Sequence, residues 1–203
     1  MNGSPPQTVF VGVSGASGAP YAARLVRALA GAGCSLQLSI SDSGILVLAH
    51  ELELAAAGRE AVTAAFLDFT GATARVFGPD ELGALPASGS SGPDAVVICP
   101  CSMSSAAHIA LGTSRTLMHR AADVALKEGR RLVLVPRETP LTRIHLRRLL
   151  ELAEAGAVVL PAAPGFYTGP STLQEAVDHI AGKVMDSLGF EQDLFPRWDG
   201  GRG

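Results

Sequence analysis

Short, almost wholly apolar runs recur along the chain at residues 9–13, 36–40, 96–99 and 158–160, and a fifth lies in the segment 131–140. Each is too short for a buried helix and lacks polar alternation, the pattern of strands covered on both faces. Between them lie helical patterns at 19–32, 44–57, 104–111, 117–128, 141–155 and 172–188; in the first, Leu25, Val26 and Leu29 share a face while Arg24 and Arg27 point elsewhere. Strands alternating with helices predict an α/β chain with a mainly parallel sheet between two helical layers, flavodoxin-like or Rossmann-like. Residues 77–94, with PASGSSGPD, hold too many Gly, Pro and Ser for a regular element and are expected to form a loop. The expected organisation is a flexible segment 1–8, one α/β domain at 9–190, and a tail at 191–203 that holds Trp198 and packs on a neighbouring subunit or stays mobile.

In open sheets of this kind, ligands bind beyond the carboxyl ends of the strands. Here those ends read GVSGASG after residue 11, Ser41-Asp42-Ser43, Pro100-Cys101-Ser102-Met103-Ser104-Ser105, Arg137-Glu138 before Pro140, and PAAPGFY. Gly12, Gly15 and Gly18 stand three apart, which is neither the dinucleotide G-x-G-x-x-G nor a Walker loop. With Ser14 and Ser17 interleaved, that turn suits either a phosphate or an ordinary tight connection. Three hydroxyls at 102–105 exceed what capping one helix requires, and with Met103 they suit a flat, mixed polar and apolar ligand such as a flavin. Together these strand ends point to a phosphorylated-cofactor site.

Composition narrows the alternatives. A formal net charge of −3 argues against general nucleic-acid binding, although nine of the sixteen Lys and Arg fall between positions 115 and 148, which fits local anion binding. Only Lys127 and Lys183 are lysines, so a compact charge stands out at two places. Cys34, Cys99 and Cys101 lack zinc-type spacing and read as buried thiols, and the scattered His108, His119, His145 and His179 read as structural or surface residues. No apolar run approaches a membrane span, and residues 1–7 lack a signal core, so a cytoplasmic protein is expected.

The stretches GASGAPY, PASGSS, ICPCS, RAADVALKE, LVLVPRETP, HL, GAVVLPAAPGFY and LFPRW, in this order over most of the chain, resemble the UbiX-type flavin prenyltransferases. The resemblance implies a metal-independent homo-oligomer, commonly a dodecamer, with active sites between subunits. It further implies transfer of a dimethylallyl group from dimethylallyl monophosphate to N5 and C6 of reduced FMN, giving prenylated FMN for a UbiD-type decarboxylase. By motif, Gly15, Ala16, Ser17, Ser41, Ser102, Met103, Ser104, Ser105, Arg120 and Arg137 would hold FMN. Lys127, Arg137, Tyr167 and Lys183 would surround the prenyl phosphate. Ser17 and Glu138 would move a proton at flavin N5, with Glu51 near the reacting face and Lys127 stabilising the leaving phosphate.

The family's usual Arg is replaced by Lys183, Asp42 stands where many relatives carry Lys, and Leu82 stands where some place an aromatic. The chain has no DDxxD-like aspartate cluster of the kind that holds Mg2+ on prenyl diphosphates. Two other functions share the flavin loops: an FMN-dependent decarboxylase of the cysteine-decarboxylase type, and a non-catalytic flavin carrier. The set Lys127, Arg137, Glu138 and Tyr167 favours a phosphate-bearing second substrate over both.

Overall fold

The computed structural model describes residues 4–167 and 169–197. Among these, β1 (Thr8–Val13), β2 (Ser35–Ile40), β3 (Ala74–Val76), β4 (Ala95–Cys101), β5 (Arg131–Pro136) and β6 (Val158–Val159) form one all-parallel sheet in the order β3-β2-β1-β4-β5-β6. This is the Rossmann-like order, with the direction of strand addition reversing between β1 and β4. The helices are α1 (Ala19–Gly31), α2 (Asp42–Glu51), α3 (Arg59–Thr70), α4 (Met103–Ala110), α5 (Leu117–Lys127), α6 (Arg143–Glu154) and α7 (Leu173–Leu188).

Successive strand residues point to opposite faces, so each strand feeds two cores. Val9, Val11, Val13, Val97 and Val133 pack with Leu25 and Leu29 of α1, Phe66 of α3 and Ile180, Val184 and Leu188 of α7. Phe10, Val96, Ile98, Leu132 and Leu134 pack with Met118, Ala121 and Ala125 of α5 and Leu152 of α6. Burial on both sides is why these strands carry uninterrupted apolar runs. Burial also raises the Cys99 and Cys101 thiols, the latter to about 12, and keeps both neutral, while Cys34 is only half-buried.

The sequence reading needs three corrections. The helix expected at 44–57 is α2, which starts at Asp42 and ends at Glu51, because Glu53 takes a left-handed φ of 50° and the Leu54 N–H turns back to the Ala49 carbonyl. α3 was not anticipated: it buries Val62, Thr63, Phe66 and Thr70, and two threonines dilute the apolar signal. The edge strand β3 is three half-exposed or exposed residues, too short and too polar for a pattern. Residues 77–94 are largely loop with one 3-10 turn, Leu85–Ala87, and are held in place by Arg130, which donates to the carbonyls of Ser88 and Gly89. No helix among the described residues is long and apolar enough to cross a membrane.

Candidate functional site

The crevice forms where strand order reverses, and a buried serine builds its floor. Ser14 Oγ donates to the Pro100 carbonyl at 2.8 Å and accepts from the Ser102 N–H at 2.7 Å, joining the turns after β1 and β4. Beside it, Gly15 is pressed against the start of α2: a Cβ there would lie 2.1 Å from Ser43 Oγ and 2.3 Å from Ser43 Cβ. Gly44 fits as closely from the other side, where a Cβ would lie 2.6 Å from the Val13 carbonyl oxygen. The two glycines bring Ser17, Ser41 and Ser43 to one end of the sheet. Ser41 caps α2, accepting from the Gly44 N–H at 3.0 Å, and its hydroxyl stands 3.3 Å from that of Ser43.

The amino end of α1 has no cap from its own Gly18. Glu51 supplies one from the end of α2: its Oε2 accepts from the Gly18 and Ala19 N–H groups, both at 2.8 Å. Desolvation pushes this carboxyl upward, but the Ser17 hydroxyl, the two N–H groups and the Arg137 charge together hold it below its usual range. Arg137 crosses the crevice to donate from Nε to the Ser17 carbonyl at 2.9 Å. Tyr21 lies alongside; burial raises its phenol, with Cys99 adding to this and Arg137 opposing it. Three predicted residues, Ser17, Glu51 and Arg137, therefore meet. Exposed Glu138 follows, its Oε1 accepting from the Thr139 N–H at 3.1 Å.

Replacing Glu51 with Gln removes the charge from this cap at nearly constant shape, and is expected to cost about 1 kcal/mol of stability at pH 7. A folded-state value below the ordinary 4.5 means the ionised carboxylate stabilises the native chain. That contribution is complete above the unfolded value and is lost as pH falls through the folded one. The difference in urea midpoint between Glu51→Gln and wild type should shrink between pH 7 and pH values below the carboxylate range; growth on acidification would contradict it.

The other predicted residues divide. At 102–105, Ser102 caps α4 by accepting from the Ser105 N–H at 3.2 Å, its hydroxyl donates to buried Ser105 Oγ, Met103 is in the core, and Ser104 faces outward. Ala16 is buried in the turn, and Arg120 is engaged by Asp123 at 2.9 Å. Asp42 does not leave bare negative charge near Ser41, because Arg59 of α3 pairs with it and donates to the Ile40 carbonyl at 2.6 Å. Lys127 stands apart at the carboxyl end of α5, where it pairs with Glu128 at 2.9 Å. That is the amino end of β5, and the strand rise separates it from Arg137 by about 20 Å. Tyr167, in the turn after β6, and Lys183 of α7 form a third group, joined by His179 of α7, whose Nε2 is 3.3 Å from Tyr167 Oη.

Lys127, Arg137, Tyr167 and Lys183 thus do not converge within one chain. The sequence marks Ser43 only as part of the strand end after β2, and carries no local signal that would single out Tyr21 or Arg59. Trp198 and Thr168 lie outside the described residues. Among the described residues, no group of three or more His, Cys, Asp or Glu side chains could hold a metal ion.

A parallel sheet with a hydroxyl-lined turn at its switch point defines an α/β protein of the nucleotide- and flavin-binding class. The family model described as Flavoprotein matches residues 2–187. The flavin prenyltransferase UbiX of Pseudomonas aeruginosa is 45% identical over 199 residues, covering 96% of this chain and 95% of that protein. The crystal structure of AnUbiX in complex with FMN and dimethylallyl pyrophosphate superposes with a TM-score of 0.86 at 33% identity, covering 96% of this chain and 98% of that one. A dodecameric FMN-dependent UbiX-like decarboxylase from Escherichia coli O157:H7 gives 0.85 at 36% identity, with coverage of 95% and 100%. The chain belongs to the flavoprotein family and, within it, to the UbiX-type flavin prenyltransferases.

Proposed function

We propose that this chain transfers a dimethylallyl group from dimethylallyl monophosphate to N5 and C6 of reduced FMN, releasing prenylated FMN and phosphate. The observation that carries this is the meeting of Ser17, Glu51 and Arg137 at the switch-point crevice of a chain so close to a flavin prenyltransferase over nearly its full length. The donor set suits FMN: exposed hydroxyls of Ser17, Ser43 and Ser104, half-buried Ser41 and the Arg137 guanidinium line a turn whose Gly15 leaves no side chain in the way. When bound, reduced FMN supplies the electron-rich ring that accepts the allyl carbon.

The protein's part is electrostatic. As the allylic C–O bond breaks, negative charge grows on the phosphate, and Lys127, Arg137, Tyr167 and Lys183 are assigned to stabilise it. Lys183 is suited to this because its carboxylate neighbour is already committed. Asp186 binds Arg197 at 2.8 and 3.2 Å, leaving the Lys183 ammonium 3.9 Å away. Exposed Glu138, next to Arg137, is assigned to accept the proton from N5, with Ser17 assisting and Glu51 beside it. Ser102, Met103, Ser105, Ala16 and Arg120 support the flavin loops.

Because Lys127 lies at the opposite end of the sheet from Arg137, the active site is assigned to the junction of subunits in a homo-oligomer, a dodecamer as named for one structural neighbour. The body at 9–190 is read as one flavin-binding domain, the location as cytoplasmic, and the recipient of the product as a UbiD-type decarboxylase. Anaerobic incubation with reduced FMN and dimethylallyl monophosphate, followed by mass spectrometry of the released flavin, is expected to show gain of one C5H8 unit, lost in Glu138→Ala. Unmodified FMN with both mono- and diphosphate donors, despite flavin binding, would overturn the proposal.

A further inference from the structure

Tyr167 folds back over Gly165 onto helix α7. Its ring meets His179 edge-on, with centroids 5.8 Å apart at 78°, and its Oη lies 3.3 Å from His179 Nε2. A Cβ on Gly165 would lie 2.7 and 2.9 Å from two carbons of the Tyr167 ring, so the fold-back requires glycine there. The other imidazole nitrogen is also engaged, since the Gly165 N–H donates to Nδ1 at 3.4 Å. Phe195 closes the remaining side, 4.7 Å from the imidazole centroid, and rests on Gly182, where a Cβ would lie 2.6 Å from its ring. His179 is 7% exposed in this setting. Two glycines and a returning C-terminal segment thus clamp one histidine against one phenol.

We infer that His179 is a positioning residue that turns the Tyr167 phenol into a hydrogen-bond donor toward the phosphate of the prenyl donor; this rests on the prenyl transfer proposed above. A neutral imidazole carries one N–H. With Nδ1 accepting from Gly165, the proton is on Nε2, and Nε2–H donates to Tyr167 Oη. The phenolic hydrogen is then directed to a different acceptor, and a phosphate oxygen forms the stronger, charge-assisted bond. The opposite tautomer would take the phenolic hydrogen and present lone pairs to an anion. Burial, reinforced by the Lys183 charge and opposed by Asp186, lowers the imidazole's proton affinity and keeps it neutral at pH 7. Lys183, four residues on, shares this face of α7, so phenol and ammonium are presented together.

His179→Phe keeps an aromatic ring between Phe195 and Tyr167 but removes both nitrogens. It is expected to lower kcat/KM for dimethylallyl monophosphate about tenfold, most of it in kcat, and to leave FMN affinity unchanged. Tyr167→Phe should do the same, and the double variant should be no worse than Tyr167→Phe alone. His179→Gln, which retains an N–H donor, should recover part of the loss. If the two Phe variants multiply in effect, His179 acts independently of the phenol and the inference fails. If Tyr167→Phe leaves kcat/KM unchanged, the phosphate role of Tyr167 fails, and this inference with it. The same cycle run with His179→Leu makes the test independent of whether the Phe variant folds.

Discussion

Neither Lys127→Ala nor Arg137→Ala protein is expected to prenylate FMN at more than about one per cent of the wild-type rate, whereas a co-assembled mixture of the two should recover about a quarter of it. This expectation comes from placement within β5. Lys127 precedes the strand and Arg137 follows it, so one chain holds them about 20 Å apart on opposite ends of the sheet. Side chains cannot span that gap to grip one phosphate. If both cations act on one phosphate, a copy supplying Lys127 must meet a copy supplying Arg137. With random assortment of the two variants, one junction in about four pairs an intact Lys127 with an intact Arg137. Co-expression under two affinity tags, tandem purification and the anaerobic prenylation assay give the result. No recovery in verified mixed oligomers would mean that the two cations serve different sites or that Lys127 plays no part.

Gly15→Ala is expected to lower FMN affinity at least about tenfold and to destabilise the chain by about 1–3 kcal/mol, the usual range for overpacking. The new methyl group would lie 2.3 Å from Ser43 Cβ, and no rotamer moves a Cβ. Either the turn after β1 or the start of α2 must shift. That shift separates Ser17 from Ser41 and pulls the Ser17 carbonyl from Arg137. Gly31→Ala, near the end of α1 where an added Cβ meets nothing within 4 Å, is the matched control and should leave FMN binding unchanged. Fluorescence titration of FMN with both variants, beside their thermal unfolding, separates the site from the fold. Full affinity in a folded Gly15→Ala protein would show that this turn does not contact the flavin.

The alternation of strand and helix is legible in the residues alone, because strands buried on both faces leave uninterrupted apolar runs and the helices between them carry a 3.6-residue period. The residues alone also single out the strand ends as candidates for chemistry, since hydroxyls and an Arg-Glu pair there serve no core. They do not reveal α3 or β3, where Thr and Arg blur the pattern. Which of the marked residues share a place follows from how the elements pack. Glu51 reads as a stray carboxylate in an apolar helix until α2 is seen to end at the bare amino terminus of α1. His179 reads as structural until Gly165 lets Tyr167 fold onto it. Lys127 and Arg137 are ten positions apart in the chain, yet an extended strand holds them at opposite ends of the molecule. Local pattern follows from the chemistry of neighbouring residues, whereas convergence depends on the direction in which each strand and helix runs.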